Sequence, residues 1–294
     1  MSTSATTNGA SLSGSHFQDH AAAYEKFAGS TSSKLAAAAL ARLPLSTYSA
    51  DSHILDSACG PGIVTKLLLG PSPPYINVPG LPLKSPPRVT GIDYAPAMVE
   101  QFVARTKAMG LTTTSAFVHD AGDLSCFPDA SFDAVVMNLG IFVLPDPVHA
   151  AAEMLRVLKP GGHVAVTTWK HAGGHVLLQK VVDAIRPGKQ ERAVVLDSEW
   201  KTKEKLSSVM KAGGFGADDM EIWAEDVGWT ADSLEDVVEF MSSSMWTQRI
   251  WKDWSEEEKA RWGSEMVNQM SEEERESHSI SMVGWVYVCK KGVE

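Results

Sequence analysis

The chain has 294 residues, 44% apolar and 21% charged, with 3 cysteines, a composition that excludes fibrous and wholly disordered classes and argues against a disulfide framework. Its 36 acidic residues outnumber the 26 basic ones for a formal charge of −10, so a phosphate backbone is repelled on average and no nucleic acid partner is expected. The longest strongly apolar run, residues 134–144, falls short of the roughly 20 residues of a membrane-spanning helix, and the start, MSTSATTNGASLSGSH, lacks the apolar core of a secretory signal. No membrane association and a cytoplasmic location are therefore expected.

Residues 1–14 are small and polar without periodicity, and a floppy tail is expected there. Residues 15–50 read as two helices, Phe17, Tyr24 and Phe27 marking one face of the first and Leu35, Ala39 and Leu43 one face of the second. From residue 51 to 170 short apolar runs alternate with helical periods, as in a parallel sheet covered on both faces. Candidate strands are residues 53–58, 88–93, 113–119, 132–139 and 163–169, with helices at 63–69, 96–109 and 147–158. The last helix is opened by Asp146-Pro147 and closed by Lys159-Pro160-Gly161-Gly162.

One connection, PSPPYINVPGLPLKSPP at residues 71–87, holds seven prolines in 17 residues and reads as an inserted extended loop. Beyond residue 170 the alternation lapses. A helix from Ser233 carries Leu234, Val237, Val238, Met241 and Met245 on one stripe, and a second from Ser255 carries Trp262, Met266 and Met270; Ser233/Asp236 and Ser255/Glu258 fit capping boxes. These are expected to form a lid over residues 171–294, with residues 220–226 and 280–288 pairing as an antiparallel hairpin at the sheet edge. The fold expected is α/β: Rossmann-like, doubly wound, mostly parallel, seven-stranded, with a closing hairpin and a helical lid.

The chemistry concentrates in Asp56-Ser57-Ala58-Cys59-Gly60-Pro61-Gly62, a strand running into a glycine turn and then a helix. Gly60 and Gly62 let backbone approach a ligand closely, and the helix start offers free N–H groups. Dinucleotide folds share such a turn, but they place a third glycine where this chain has Thr65. Asp56, just ahead of the turn, suits an ammonium group, directly or through water, and repels a phosphate. Asp93 ends the second strand, where a carboxylate accepts from both ribose hydroxyls. A nucleoside carrying an amino acid fits these three features better than a dinucleotide does.

At this point the sequence resembles the class I S-adenosylmethionine-dependent methyltransferases, in the group similar to ubiquinone/menaquinone-biosynthesis enzymes and the small-molecule methyltransferases of fungal secondary metabolism. The family turn reads Asp-x-Gly-x-Gly-x-Gly, from which this chain departs at Ala58. The resemblance implies S-adenosyl-L-methionine as cofactor, Asp56, Ala58, Cys59, Gly60 and Gly62 forming its turn, Asp93 on the ribose, and Tyr94 and Met98 (from GIDYAPAM) flanking the adenine. It further implies Asp120 on the adenine amino group, the Ala121 N–H on the ring, and Asn138 beside the methionine portion. Tyr24 reads either as a core residue or as a cover over the cofactor. Asp123 reads as a loop cap, and Phe142 equally as core or substrate wall. Ser72-Pro73-Pro74-Tyr75 imitates an amino-methylation signature but lies in the wrong connection to serve as one.

Methyl transfer needs in-line approach and exclusion of water, so no dedicated catalytic side chain is compulsory. His20, His171 and His175 are the candidates for a base. The His171-Ala-Gly-Gly-His175 spacing lacks a neighbouring carboxylate, and no metal is expected. The tryptophans at 223, 229, 246, 251, 254 and 262, with the methionines, read mainly as lid core, the remainder suiting an apolar pocket. The function expected is methyl transfer to O, S or N of an apolar, aromatic small molecule of the natural-product type. The alternatives are a silent cofactor-binding homologue, a protein or RNA methyltransferase, and a nicotinamide-dependent oxidoreductase.

Overall fold

The computed structural model describes residues 30–189, 191–193, 197–216 and 219–293. The expected tail and first N-terminal helix, with Phe17, His20, Tyr24 and Phe27, lie outside the described residues. Residues 30–40 are helical and form α1, burying Leu35, Ala39 and Leu40. The alternating region then gives β1 (His53–Ser57), α2 (Ile63–Leu69), β2 (Arg88–Asp93), α3 (Pro96–Ala108), β3 (Thr114–Val118), β4 (Phe132–Asn138), α4 (Pro147–Val157) and β5 (Leu158–Ala172). Residues beyond them form α5 (Gly173–Ile185), α6 (Lys203–Ala212), β6 (Met220–Asp226), β7 (Trp229–Thr230), α7 (Leu234–Met241), α8 (Ser244–Ile250), α9 (Glu256–Ala260), α10 (Trp262–Gln269), α11 (Glu272–Ser277), β8 (Ser279–Ile280) and β9 (Met282–Lys290).

Seven strands make one sheet in the order β3-β2-β1-β4-β5-β9-β6. The first five are parallel, and β9 runs antiparallel to β5 and β6. The expected hairpin therefore exists, with β9 inserted between β5 and β6. Alternation along each strand loads both faces: Ile54, Ala134, Val136 and Ala165 pack with α1 and α2, while Leu55, Val135, Val164 and Tyr287 pack with α4 and α6. The proline-rich connection is not merely a spacer. Ile76 and Leu83 are buried in the first core, and the Leu83 N–H donates to Leu68 O at 2.8 Å.

Three differences from the sequence expectation have local causes. The Lys159-Pro160-Gly161-Gly162 turn lies inside β5 rather than before it, because pairing begins at Phe132↔Leu158, shifts, and resumes at Ala134↔His163. Gly161 absorbs this bulge with φ +76. Each amphipathic stripe in the cap is two helices: the first breaks between α7 and α8 at Ser242-Ser243, the second between α9 and α10 at Arg261. Ser255/Glu258 makes a reciprocal capping box, whereas Asp236 bonds the Ser233 hydroxyl and not its backbone. Finally, α5, α6 and α11 and the β7–β8 pair lie where regular alternation had lapsed.

The cap has its own core, with Leu178, Val181, Val237, Met241, Trp262 and Met266 buried together. Its edge is clamped by Arg186, whose guanidinium meets both oxygens of Glu258 at 2.8 Å, reaches Glu191 at 3.2 Å and stacks 4.9 Å from the Trp254 ring. No helix of the described residues is long and apolar enough to cross a membrane.

Candidate functional site

The sheet order places β2 and β4 on opposite sides of β1, the point where connections leave in opposite directions and a crevice opens at the carboxyl ends of the strands. A cavity of about 550 Å³ lies there, between the β1–α2 turn, the ends of β2 and β4, the loop after β3 and the β4–α4 connection. That volume is within the usual range for a small-molecule or cofactor pocket.

The β1–α2 turn folds as its glycines suggest, with one surprise. Ala58, Gly60 and Gly62 all have positive φ, at +54, +50 and +83. Position 58 is thus left-handed although it is alanine, a strained choice for a residue with a Cβ. Gly60 meets nothing that a Cβ would strike, so its backbone stays open to the cavity, whereas a Cβ on Gly62 would stand 2.8 Å from the Phe102 ring. Gly62 packs against α3 and does not line the cavity, although the sequence grouped it with the ligand turn.

Two carboxylates organise the turn. Asp93 accepts from the Gly60 N–H at 2.8 Å through one oxygen and from the Ala95 N–H at 2.9 Å through the other, so one side chain joins the ends of β1 and β2. Burial raises its pKa above the ordinary carboxylate value. Asp56 is 1% exposed and accepts from the Thr65 hydroxyl at 2.7 Å and the Thr65 N–H at 3.2 Å. Burial pushes its pKa up to about 7 against the pull of these hydrogen bonds, and the negative Asp93 adds to the rise. Thr65, which the sequence marked only as a missing glycine, therefore supplies both donors to Asp56. Burial likewise pushes the Cys59 thiol up.

Across the cavity, Asn138 ends β4 in a network of its own. The Thr167 hydroxyl donates to Asn138 Oδ1 at 2.8 Å and accepts from the Leu139 N–H at 2.9 Å, while Asn138 Nδ2 donates to Ser32 O at 3.2 Å. This holds Leu139 at φ +60 and turns the chain into an apolar wall of Leu139, Val143, Leu144 and Pro145. That wall was not anticipated; the sequence signal for it is the apolar continuation Leu139–Pro145 beyond a polar strand end.

Asp56, Ala58, Cys59, Gly60, Asp93, Tyr94, Met98, Asp120, Ala121 and Asn138 all line this one cavity. His171 and His175 do not: the first is exposed, and the second packs its ring 5.5 Å from Trp246 in the cap. Asp123 accepts from the Ser125 N–H at 2.9 Å as a loop cap. Phe142 bridges the two main cores, and Tyr75 stands exposed away from the cavity. Trp246, Trp251, Trp254 and Trp262 form edge-on ring pairs inside the cap, whereas Trp223 lies under Arg42 at the sheet edge.

Residues 55–166 match the family described as a methyltransferase domain. The chain is 32% identical over 184 residues to methyltransferase ucsB of an Acremonium species, an alignment covering 59% of this chain and 58% of that protein. It is 31% identical to nocamycin O-methyltransferase of Saccharothrix syringae, covering 56% and 54%. With aklanonic acid methyltransferase DauC of a Streptomyces species it shares 34% identity, covering 40% and 47%. The chain thus spans about half the length of these curated relatives. Among solved structures, the YcgJ protein of Bacillus subtilis superposes with a TM-score of 0.51 at 15% identity, covering 87% of this chain and 98% of that one. The [4+2]-cyclase SpnF does so at 0.50 and 20%, covering 88% and 82%, and these likenesses speak to fold alone. The matched residues contain the β1–α2 turn, Asp93, Asp120 and Asn138, so the part of the chain that builds the cavity is the part similar to the methyltransferase domain family.

Proposed function

We propose that the protein transfers the methyl group of S-adenosylmethionine to an oxygen, sulfur or nitrogen atom of an apolar, aromatic small molecule of the natural-product type. The observation that carries this reading is the division of one cavity into a carboxylate-rich half, Asp56, Asp93 and Asp120, and an apolar half, Leu139, Val143, Leu144 and Pro145. The donor set suits the cofactor. Buried Asp56 is a partner for an ammonium group, the open Gly60 backbone accommodates close approach, and Asp93 retains lone pairs for ribose hydroxyls. Tyr94 and Met98 would flank the adenine, the Asp120 carboxylate would accept from its amino group, and the Ala121 N–H would reach the ring. Asn138 stands by the methionine portion. The names of the relatives, two of them acting on nocamycin and aklanonic acid, agree with the acceptor class.

When bound, S-adenosylmethionine supplies a methyl carbon made electrophilic by its sulfonium; the carbon–sulfur electron pair stays on sulfur and an acceptor lone pair forms the new bond. The protein's part is positioning and exclusion of water. The Thr167–Asn138–Leu139 network fixes the wall against which the acceptor lies, and the apolar residues keep water from its nucleophilic atom. The acceptor's proton leaves to solvent or to a base.

Thermal unfolding with S-adenosylmethionine, S-adenosylhomocysteine and NAD(P) tests the cofactor, since a ligand at 100 times its Kd stabilises by about 2.7 kcal/mol. The adenosyl-sulfur compounds alone are expected to raise the midpoint. Labelled methyl transfer to panels of phenols, thiols and amines then tests the acceptor class. Transfer only to protein or RNA would overturn it.

A further inference from the structure

The loop between β3 and β4 carries Asp120 and Ala121, and it is anchored both from within and by α4. Within the loop, the Gly122 N–H donates to Asp120 Oδ1 at 2.8 Å and the Asp123 N–H to Asp120 O at 3.1 Å. Further along, the Ser125 N–H donates to Asp123 Oδ1 and the Phe127 N–H to Leu124 O, both at 2.9 Å, and two side chains of α4 add anchors from outside. The Leu124 N–H donates to Glu153 Oε2 at 3.1 Å, and the Arg156 guanidinium donates back to Leu124 O at 2.8 Å, so both backbone groups of the residue three places beyond Ala121 end on α4. The same guanidinium reaches Phe127 O at 2.9 Å and Asp129 at 2.7 Å, and locks fork to fork onto Glu153 with two bonds of 2.7 Å.

Five donors in a fixed plane are what let one side chain serve a carboxylate and three loop acceptors together, which an ammonium cannot do. Glu153 and Arg156 shield each other, with side chains 13% and 28% exposed, and the pairing holds the Glu153 carboxyl below its usual range. The rotamer of Glu153 is set by Arg156, and Glu153 sets the height of Leu124, which is fully buried against the second core. Neither side chain lines the cavity.

We propose that Glu153 and Arg156 are positioning residues for base selection: they hold the β3–β4 loop at the register in which Asp120 and the Ala121 N–H read the adenine edge. This rests on the adenine placement proposed above. The pair thereby acts on which base is accepted as well as on stability, since a loop free to shift by a fraction of an ångström keeps its carboxylate but loses the aim of its hydrogen bonds.

The test is calorimetric binding of S-adenosylhomocysteine and S-inosylhomocysteine, the analogue with a carbonyl in place of the adenine amino group, to the full chain and its variants. The wild-type protein is expected to prefer the adenosyl compound by about tenfold or more, the size of one well-made hydrogen bond to a charged group. Arg156→Met and the milder Arg156→Lys and Glu153→Gln are expected to reduce that preference severalfold, chiefly by weakening the adenosyl compound. Asp146→Ala, which removes the cap on the His149 N–H at the far, N-terminal end of the same helix, controls for general loosening and is expected to keep the wild-type ratio. An unchanged ratio in Arg156→Met and Arg156→Lys, or an equal fall in Asp146→Ala, overturns the proposal. Equal wild-type affinity for the two compounds removes the adenine contact itself, and the proposal with it.

Discussion

Ala58 and Gly140 face each other across the floor of the cavity, and their pairing can be tested by a double-mutant cycle. A Cβ built on Gly140 stands 2.8 Å from Ala58 Cβ and 3.0 Å from Met137 Cγ, against ordinary contacts of 3.4–4 Å. Gly140 has φ −103, so alanine fits the backbone there and the cost of Gly140→Ala is steric alone. The Ala58 Cβ cannot yield, because its turn is tied by the Cys59 N–H to Ile92 O at 2.8 Å, whereas Met137 has torsions to spare. Overpacking of this kind costs about 1–3 kcal/mol. Ala58→Gly alone is expected to be near neutral: it relieves about 1 kcal/mol of left-handed strain and adds about 0.5–1 kcal/mol of unfolded-state entropy. Combining the two removes the rigid contact, so the pair is expected to recover about 1 kcal/mol or more of the loss, read from urea unfolding midpoints of the four proteins. The same recovery should appear in S-adenosylhomocysteine affinity, because both residues line the cavity. Additivity within about 0.5 kcal/mol would refute the contact.

Asp56 has a folded pKa raised to about 7 from 3.8. Its contribution to stability is therefore complete below about pH 4 and is lost as pH rises through 7, and Asp56→Asn is expected to flatten the stability profile across that window. Binding an ammonium group favours the carboxylate, so cofactor binding near pH 6 is expected to release a proton. Calorimetry in buffers of different ionisation enthalpy checks this, and no buffer dependence would argue against the ammonium contact. Thr65→Val removes the hydroxyl donor at 2.7 Å from a buried carboxyl and is expected to cost about 1.5–3 kcal/mol at pH 8 and less at pH 5, measured by urea unfolding. Lys291 donates to Leu155 O and Leu158 O at 2.7 Å, so Lys291→Met should lower stability by about 1–2 kcal/mol through the uncapped end of α4. Arg186→Met should loosen the cap first, seen as an earlier tryptophan fluorescence transition. Glu258, held down to about 2 by Arg186, gives that pair a contribution present above about pH 4.5 and lost as pH falls through 2.

The parallel half of the fold was legible because its three central strands are short apolar runs closed by chemically marked ends: Asp56 before the glycine turn, Asp93 before Ala95-Pro96, Asn138 before Leu139-Gly140. Those ends are where a parallel sheet presents its residues to a ligand, so the motif positions and the cavity wall coincide. The cap was less legible. The stripe Leu234 to Met245 has continuous helical spacing, yet the helix breaks at Ser242-Ser243, where Ser243 is extended (φ −62, ψ 155) and the Thr247 hydroxyl donates to the carbonyls of both serines. The cap's helices are held in place by long-range pairs such as Arg186 with Glu258, separated by 72 residues, which no local pattern announces. His171 and His175 attracted attention as histidines near a strand end, but β5 runs on to Ala172 through its pairing with β9 and carries both past the cavity.

The acidity of the cavity narrows which nucleotide-like ligand it suits, beyond what the fold can say. A pyrophosphate resting on the β1–α2 turn would bring negative charge to the Gly60 N–H, which Asp93 already occupies at 2.8 Å, and close to buried Asp56. Asp93 would have to give up a hydrogen bond that joins two strand ends, while the like charges in a poorly solvated site push every neighbouring carboxyl towards protonation. A ligand with hydroxyls and an ammonium group has the opposite effect: it leaves the Gly60 bond in place and favours ionisation of Asp56. The likeness to solved structures speaks to fold alone, and one fold hosts many functions, so the discrimination has to be sought in these side chains. Replacing Asp93 by asparagine supplies the sharpest contrast. It keeps an acceptor for one of the two backbone N–H groups but removes the charge, and it is expected to weaken S-adenosylhomocysteine by about tenfold or more without creating NAD affinity. NAD binding by that variant would show that charge alone, and not the shape of the Ala58–Gly62 turn, had kept the dinucleotide out.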